Sequence, residues 1–260
     1  MTEEQDNQIE RSETGGINRR SETARRGSDA AGFVRGLANR RTESNLPRIV
    51  SIGDTYEFLL EWGTYGPGDG QFEFPVDIAV AADGTVYVTE SRYRRIQKFT
   101  SEGVFVSQWG TSGTGDGEFI NLGGVAVAPD RSVYVTDRFQ NRIQKFTSDG
   151  VFVSKWGRLE DDDWEVDYPS GASVFDTPNG VTVASDGSVY VAETGAYRIQ
   201  GNYRIQKFTS EGVFVSKWGA QGSGDGEFSE SLDGVAVASD GSVYVADGGN
   251  HRIQQFSPSR

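Results

Sequence analysis

The chain has 260 residues, 35% of them hydrophobic and 12% aromatic, and a formal net charge of −13, which is enough apolar material for a packed core. It contains no Cys and a single His, His251, which excludes a disulfide framework, a thiol nucleophile and a Cys/His zinc site. No apolar run approaches the roughly 18 residues that cross a bilayer, and the first 50 residues have no apolar signal core, so a soluble, cytoplasmic protein with no membrane contact is expected.

The charge divides unevenly along the chain. Residues 1–50 carry nine Arg against eight Asp or Glu, which leaves 16 basic and 30 acidic residues for 51–260. The leading segment is rich in Ser, Thr, Asn, Glu and Arg and poor in aromatic residues, the composition of a disordered tail, with one short helix at most near 29–40. Its paired arginines are followed by Ser, Glu, Gly or Thr, which does not fit a twin-arginine export signal. The domain that follows, 51–260, is strongly acidic and Lys-poor, a surface suited to solubility in concentrated salt.

From residue 56 onward one sentence recurs four times. YEFLLEWG at 56–63 reads as the last strand of a repeat. Copies of the repeat follow, with GVAV-type segments at Ile78, Gly124, Gly180 and Gly234. In the second copy GVAVA at 124–128, VYVTD at 133–137, RIQKF at 142–146 and VFVSKWG from 151 alternate as strands. Asp-Gly at Asp83-Gly84, Asp186-Gly187 and Asp240-Gly241 marks hairpins, because Gly tolerates the positive φ of a tight turn; Asp130-Arg131 is the exception. Four-stranded antiparallel units at this period are the blades of a β-propeller, each unable to bury its apolar faces alone.

Trp62, Trp109, Trp156 and Trp218 mark the period. The third interval is longer than the first two because of two insertions. One is the linker Arg158 to Phe175; the other is the loop in which Tyr197 to Gln200 repeats as Tyr203 to Gln206. In an up-and-down sheet both fall on the same face, with the inter-blade linkers and the loops between second and third strands. Loops held on a rigid frame are where binding residues collect. The candidate ligand-binding residues are therefore Asp161, Asp162, Asp163, Trp164, Asp167, Tyr168, Tyr197 and Tyr203 on the insertions. Arg92, Tyr93, Arg138, Phe139 and His251 join them on the loops of the other blades. Three adjacent Asp do not match a fixed Ca²⁺-ligand spacing, so no metal ligand, cofactor or catalytic residue is assigned. The recurrent pairs Glu90/Arg95, Asp137/Arg142, Glu193/Arg204 and Asp247/Arg252 read as cross-strand structure. The Gly-Asp-Gly linkers read as tight turns, and the Trp and Tyr residues as packing between blades.

The last copy, with Gly234, Val235, Asp240, Gly241, Tyr244, Val245, Asp247, Asn250, Arg252, Ile253 and Phe256, resembles the NHL-repeat family. The resemblance covers 56–256 and implies an all-β propeller of four-stranded blades. The early strand at 56–63 is expected to complete the last blade, which stops after its third strand, so that one chain closes as a monomer. Three functions stay open. The first is a non-enzymatic scaffold docking a protein or small ligand. The second is a propeller hydrolase or lyase with a carboxylate-held metal in the channel. The third is RNA binding through Arg92, Tyr93, Arg94, Arg95, Arg138, Phe139 and Arg142, which the acidic charge disfavours.

Overall fold

The computed structural model describes residues 58–157, 175–195 and 202–258. A short parallel pair, β1 (Thr64–Tyr65) with β2 (Gln71–Phe72), leads into blade 1, an antiparallel sheet of β3 (Pro75–Val80), β4 (Val86–Glu90), β5 (Arg95–Phe99) and β6 (Phe105–Trp109). The pattern repeats as β7 (Thr111–Ser112) with β8 (Glu118–Phe119), then blade 2, formed by β9 (Leu122–Val127), β10 (Val133–Asp137), β11 (Arg142–Phe146) and β12 (Phe152–Trp156). Blade 3 is β13 (Pro178–Val183), β14 (Val189–Thr194), β15 (Tyr203–Phe208) and β16 (Phe214–Trp218). Blade 4 is β17 (Leu232–Val237), β18 (Val243–Asp247) and β19 (Arg252–Phe256). The four sheets are arranged as a four-blade propeller, with inner strands β3, β9, β13 and β17 packed in that order.

The hairpins follow from local chemistry. Gly84, Gly187 and Gly241 sit at φ of 84°, 84° and 85°, and Arg131 accepts the same left-handed conformation at 69°. In each turn the preceding Asp accepts a hydrogen bond from the backbone N–H two residues on, for example Thr85 N to Asp83 Oδ1 at 3.0 Å and Ser132 N to Asp130 Oδ1 at 2.9 Å. That side-chain turn is what lets Arg131 stand where Gly is otherwise used.

The cores lie between blades. One face of a blade presents Tyr and Ile; the facing side of the next presents Val, Val and Phe. Tyr87 and Ile96 thus meet Val133, Val135 and Phe146; Tyr134 and Ile143 meet Val189, Val191 and Phe208; Tyr190 and Ile205 meet Val243 and Val245. Full burial of each such side chain contributes about 1.5–3 kcal/mol. Tryptophan closes each wedge: a Cβ added to Gly150 or Gly212 would lie 2.5 or 2.6 Å from the Trp109 or Trp156 ring of the preceding blade. The reading of Trp and Tyr as inter-blade packing holds for Tyr87, Tyr134 and Tyr190, but Tyr244 on the last blade is partly exposed and packs against no neighbouring blade among the described residues.

One expectation is overturned. The described part of the segment, Phe58–Gly63, forms no strand and does not complete the last blade, which among the described residues has three strands. Trp62 packs instead over Gly103 of blade 1, in the manner of Trp109 over Gly150. Among the described residues no apolar cluster joins blade 4 to blade 1, so the segment has no ladder partner within reach.

Candidate functional site

The linker face is built by the most repetitive polar residues of the chain. Glu90 and Arg95 are directly opposite across β4 and β5, as are Asp137 and Arg142, Glu193 and Arg204, and Asp247 and Arg252. Each acid is buried and also accepts from the linker backbone: Glu73 N to Glu90 at 2.5 Å, Asn121 N to Asp137 at 3.1 Å, Asp176 N to Glu193 at 2.9 Å and Ser229 N to Asp247 at 3.0 Å. The arginines then clamp the glycine-rich linkers. Arg142 donates to the carbonyls of Thr114, Gly115 and Glu118 at 2.7, 3.0 and 2.7 Å. Arg95 does the same to Pro67, Gly68 and Gln71, and Arg252 to Ser223, Gly224 and Glu227. Two residues after each of these arginines a Gln completes the hold: Gln144 donates to Glu118 O and accepts from Gly117 N, at 2.8 and 2.9 Å. The Arg-Ile-Gln motif and the Gly-Asp-Gly linker are thus one structural device, which satisfies backbone groups that would otherwise be buried without partners.

The pairs differ in their electrostatics. Burial pushes the Glu193 carboxyl up to about 7 against the pull of Arg204, with which it pairs. Asp137 is also raised by burial, whereas at Asp247 the hydrogen bonds from Asn250, Ser229 and Arg252 outweigh burial and lower it. The difference follows position: Asp137 is walled by blades on both sides, and blade 4 is a terminal blade.

On this frame the loops between second and third strands present the candidates. Arg92 is exposed and faces Glu73 at 3.6 Å; the Tyr93 hydroxyl donates to Glu73 at 3.0 Å, and the Arg95 guanidinium lies over the Tyr93 ring at 5.1 Å. Phe139 is exposed on the 3₁₀ turn Arg138–Gln140. His251 ends the corresponding turn of blade 4 in the left-handed conformation, φ 57°, the position that Arg94 and Asn141 occupy at 52° and 50°. Its place is set by turn geometry, with the imidazole in solvent. Tyr203 is a correction: it is buried among the apolar residues between blades 3 and 4 and is not presented to a ligand. Asp161, Asp162, Asp163, Trp164, Asp167, Tyr168 and Tyr197 lie outside the described residues.

A cavity of about 600 Å³ runs between the inner strands of all four blades, and Asp77, Arg138, Asn179 and Asp233 are its polar lining. Arg138 was among the candidates; Asp77, Asn179 and Asp233 were not, yet the signal was present. Asp77 stands where the other copies have Gly124, Gly180 and Gly234, and Asn179 and Asp233 occupy the preceding column of the repeat. At Gly124 and Gly180 the next blade crowds the position, where a Cβ would lie 2.8 Å from Asn179 O or 2.5 Å from Asp233 O, whereas at Gly234 of the terminal blade it would meet only Ala246 at 3.5 Å. Asp77 turns the same proximity into a bond, accepting from Val125 N at 2.9 Å. Asp233 accepts from Asn179 Nδ2 at 2.7 Å and Ser231 Oγ at 2.6 Å. Among the described residues no group of three or more His, Cys, Asp or Glu is placed to hold a metal ion.

The sequence profile of the NHL repeat matches residues 175–208 and 232–256. A stretch of 98 residues, 36% of this chain, is 30% identical to peptidylglycine alpha-amidating monooxygenase of Rattus norvegicus, and the Mus musculus protein matches to the same extent. The chain spans about a tenth of the length of these curated relatives. Among solved structures, a streptogramin B lyase superposes with a TM-score of 0.53 at 17% identity over 76% of this chain and 55% of the lyase. A nidogen/laminin complex does so with 0.51, again at 17% identity, over 71% of this chain and 60% of the matched chain. At such identities the likeness is one of fold. With the repeat profile falling on blades 3 and 4, and the same Arg-Ile-Gln clamp built in blades 1, 2 and 4, the chain carries NHL repeats in a four-blade β-propeller arrangement.

Proposed function

We propose that this propeller is a non-enzymatic binding module that docks a protein or small ligand on its linker face, with the mouth of the central cavity as the focus. The observation that carries the reading is the contrast on that face. The acid–Arg–Gln clamps fix its backbone in blades 1, 2 and 4, while Arg92, Phe139 and His251 are left exposed around a cavity lined by Asp77, Arg138, Asn179 and Asp233. A rigid rim carrying a few outward-facing aromatic and charged groups suits recognition, because little side-chain order is lost on binding. The acidic insertion Glu160 to Tyr168, expected from the sequence among the inter-blade linkers, lies outside the described residues and is tested directly by deletion.

Two observations weigh against the alternatives. The cavity carboxylates already accept hydrogen bonds from backbone and amide donors, which leaves less of their charge for a metal. Arg94, Arg95 and Arg142 spend donors on carbonyls, and Arg92 faces Glu73, which leaves fewer of their N–H groups to contact phosphates. The test is mass spectrometry of what copurifies from a native lysate with the full chain, set beside Arg138→Ala/Phe139→Ala and a deletion of 160–168. The reading expects a species held by the parent and lost from both variants at unchanged melting temperature. Equal recovery on all three would refute it.

A further inference from the structure

The two end blades expose residues at several positions that the inner blades bury. Ile253 on β19 is 67% exposed, whereas Ile96, Ile143 and Ile205 at the same place in blades 1 to 3 are 0%. Tyr244 is 39% exposed against 0% for Tyr134. On the first blade Ile78 is 56% exposed, and its counterpart Val125 is 4%. The Tyr–Ile face of blade 4 and the opposite face of blade 1 at Ile78 therefore correspond to the two sides of the interface that the chain already makes three times within itself, and in this structure they do not meet; farther out on blade 1, Val86, Val88 and Phe99 are buried, with Trp62 and Phe72 packed against them. The strand inventory is complementary too. Blade 4 leaves one edge of β19 unpaired, and a cavity of about 500 Å³ borders Trp218 and Phe256 beside it. Phe58–Gly63, the outer-strand sequence without a sheet, stands ahead of blade 1 with Phe58 and Leu59 in solvent.

We infer that the occupant of both ends is a second copy of this chain, joined head to tail. The blade 4 face of one copy packs on the blade 1 face of the other, and Phe58–Gly63 of each copy pairs with β19 of its partner. A face built from one side of this repeat is matched best by the other side of the same repeat, and an unpaired strand edge by the segment whose sequence pairs there in every complete blade. Such a contact is heterologous, and it stays finite only if the rotation closes. Two copies make eight blades at about 45° each, inside the range of known propellers, whereas one chain alone must turn about 90° per blade. Tyr244 then gains the partner its homologues have: Tyr87 and Tyr134 donate to Ser148 O and Ser210 O of the next blade, at 3.3 and 3.1 Å, and Ser101 O is the equivalent acceptor.

The full chain tests this by light scattering and by cross-linking. The expected mass is twice the 28.3 kDa of one chain. Ile253→Arg and Ile78→Arg, both at exposed positions that a single chain tolerates, should each return it to one chain with far-ultraviolet circular dichroism unchanged. The register Lys145 opposite Ser154 places Leu60 opposite Gln255. In a protein without cysteine, Leu60→Cys with Gln255→Cys should give an oxidised product that runs as a dimer on a non-reducing gel. A single-chain mass at all concentrations, or a link formed within one chain, overturns the inference. A mass above two chains overturns the eight-blade ring.

Discussion

Replacing Arg142 with Met strips one blade of its clamp while keeping most of the side-chain volume, so the cavity left behind is small and the loss is electrostatic. Arg142 is 2% exposed and the Asp137 side chain fully buried. The substitution leaves Asp137, already raised by burial, without its cation. It also leaves the carbonyls of Thr114, Gly115 and Glu118 without a donor. Breaking one partner of a buried pair costs about 3–5 kcal/mol. The same change at Arg252 meets water, because that side chain is 27% exposed, and a solvent-rescued loss of this kind is about 1–2 kcal/mol. Urea unfolding read by tryptophan fluorescence measures both, with the slope held common so that the midpoint reports stability. A second variant sharpens the assignment: Asp137→Leu with Arg142→Met removes both charges and should recover part of the loss, whereas it should not if the arginine serves only as packing. Equal costs at Arg142 and Arg252, or a cost at Arg142 below about 1 kcal/mol, would refute the argument that burial sets the strength of the clamp.

Two further outcomes follow from the structure. The Glu193 carboxyl titrates at about 7 in the folded chain, above its unfolded value of 4.5, so folding takes up a proton there. Its stabilisation is complete below about 4.5 and is lost as pH rises through about 7, so melting temperature should rise between pH 8 and pH 5. Glu193→Gln should flatten that rise, and an identical slope for parent and variant would count against the assignment. Gly150→Ala should destabilise by more than Gly226→Ala in the same urea assay. Both residues adopt left-handed φ, at 81° and 76°, which costs about 1–2 kcal/mol for a non-glycine residue. Only at Gly150 does the new methyl also meet the Trp109 ring, at 2.5 Å, whereas nothing lies within 4 Å at Gly226.

Much of the candidate site was legible because repetition separates frame from exception. The acid–Arg pairs occur in every blade and prove structural; Asp77, Asn179 and Asp233 depart from the repeat, and those departures line the cavity. What the repeat could not convey is which departure matters to a neighbour. Tyr203 reads as an exposed aromatic on an insertion, yet it begins β15 and turns into the interface with blade 4. His251 reads as chemistry, yet its place is set by a left-handed turn.

By itself the sequence determined the blades. Alternation of β-branched and aromatic residues, Asp-Gly turns and a constant period specify β9 to β12 within two residues, because strands and hairpins depend on contacts close along the chain. Only the tertiary structure decided how far the propeller turns and where its ends go. The angle between blades accumulates from many side-chain contacts repeated across each interface, which no local pattern encodes. In the structure Phe58–Gly63 lies beside blade 1, and the last sheet is one strand short among the described residues.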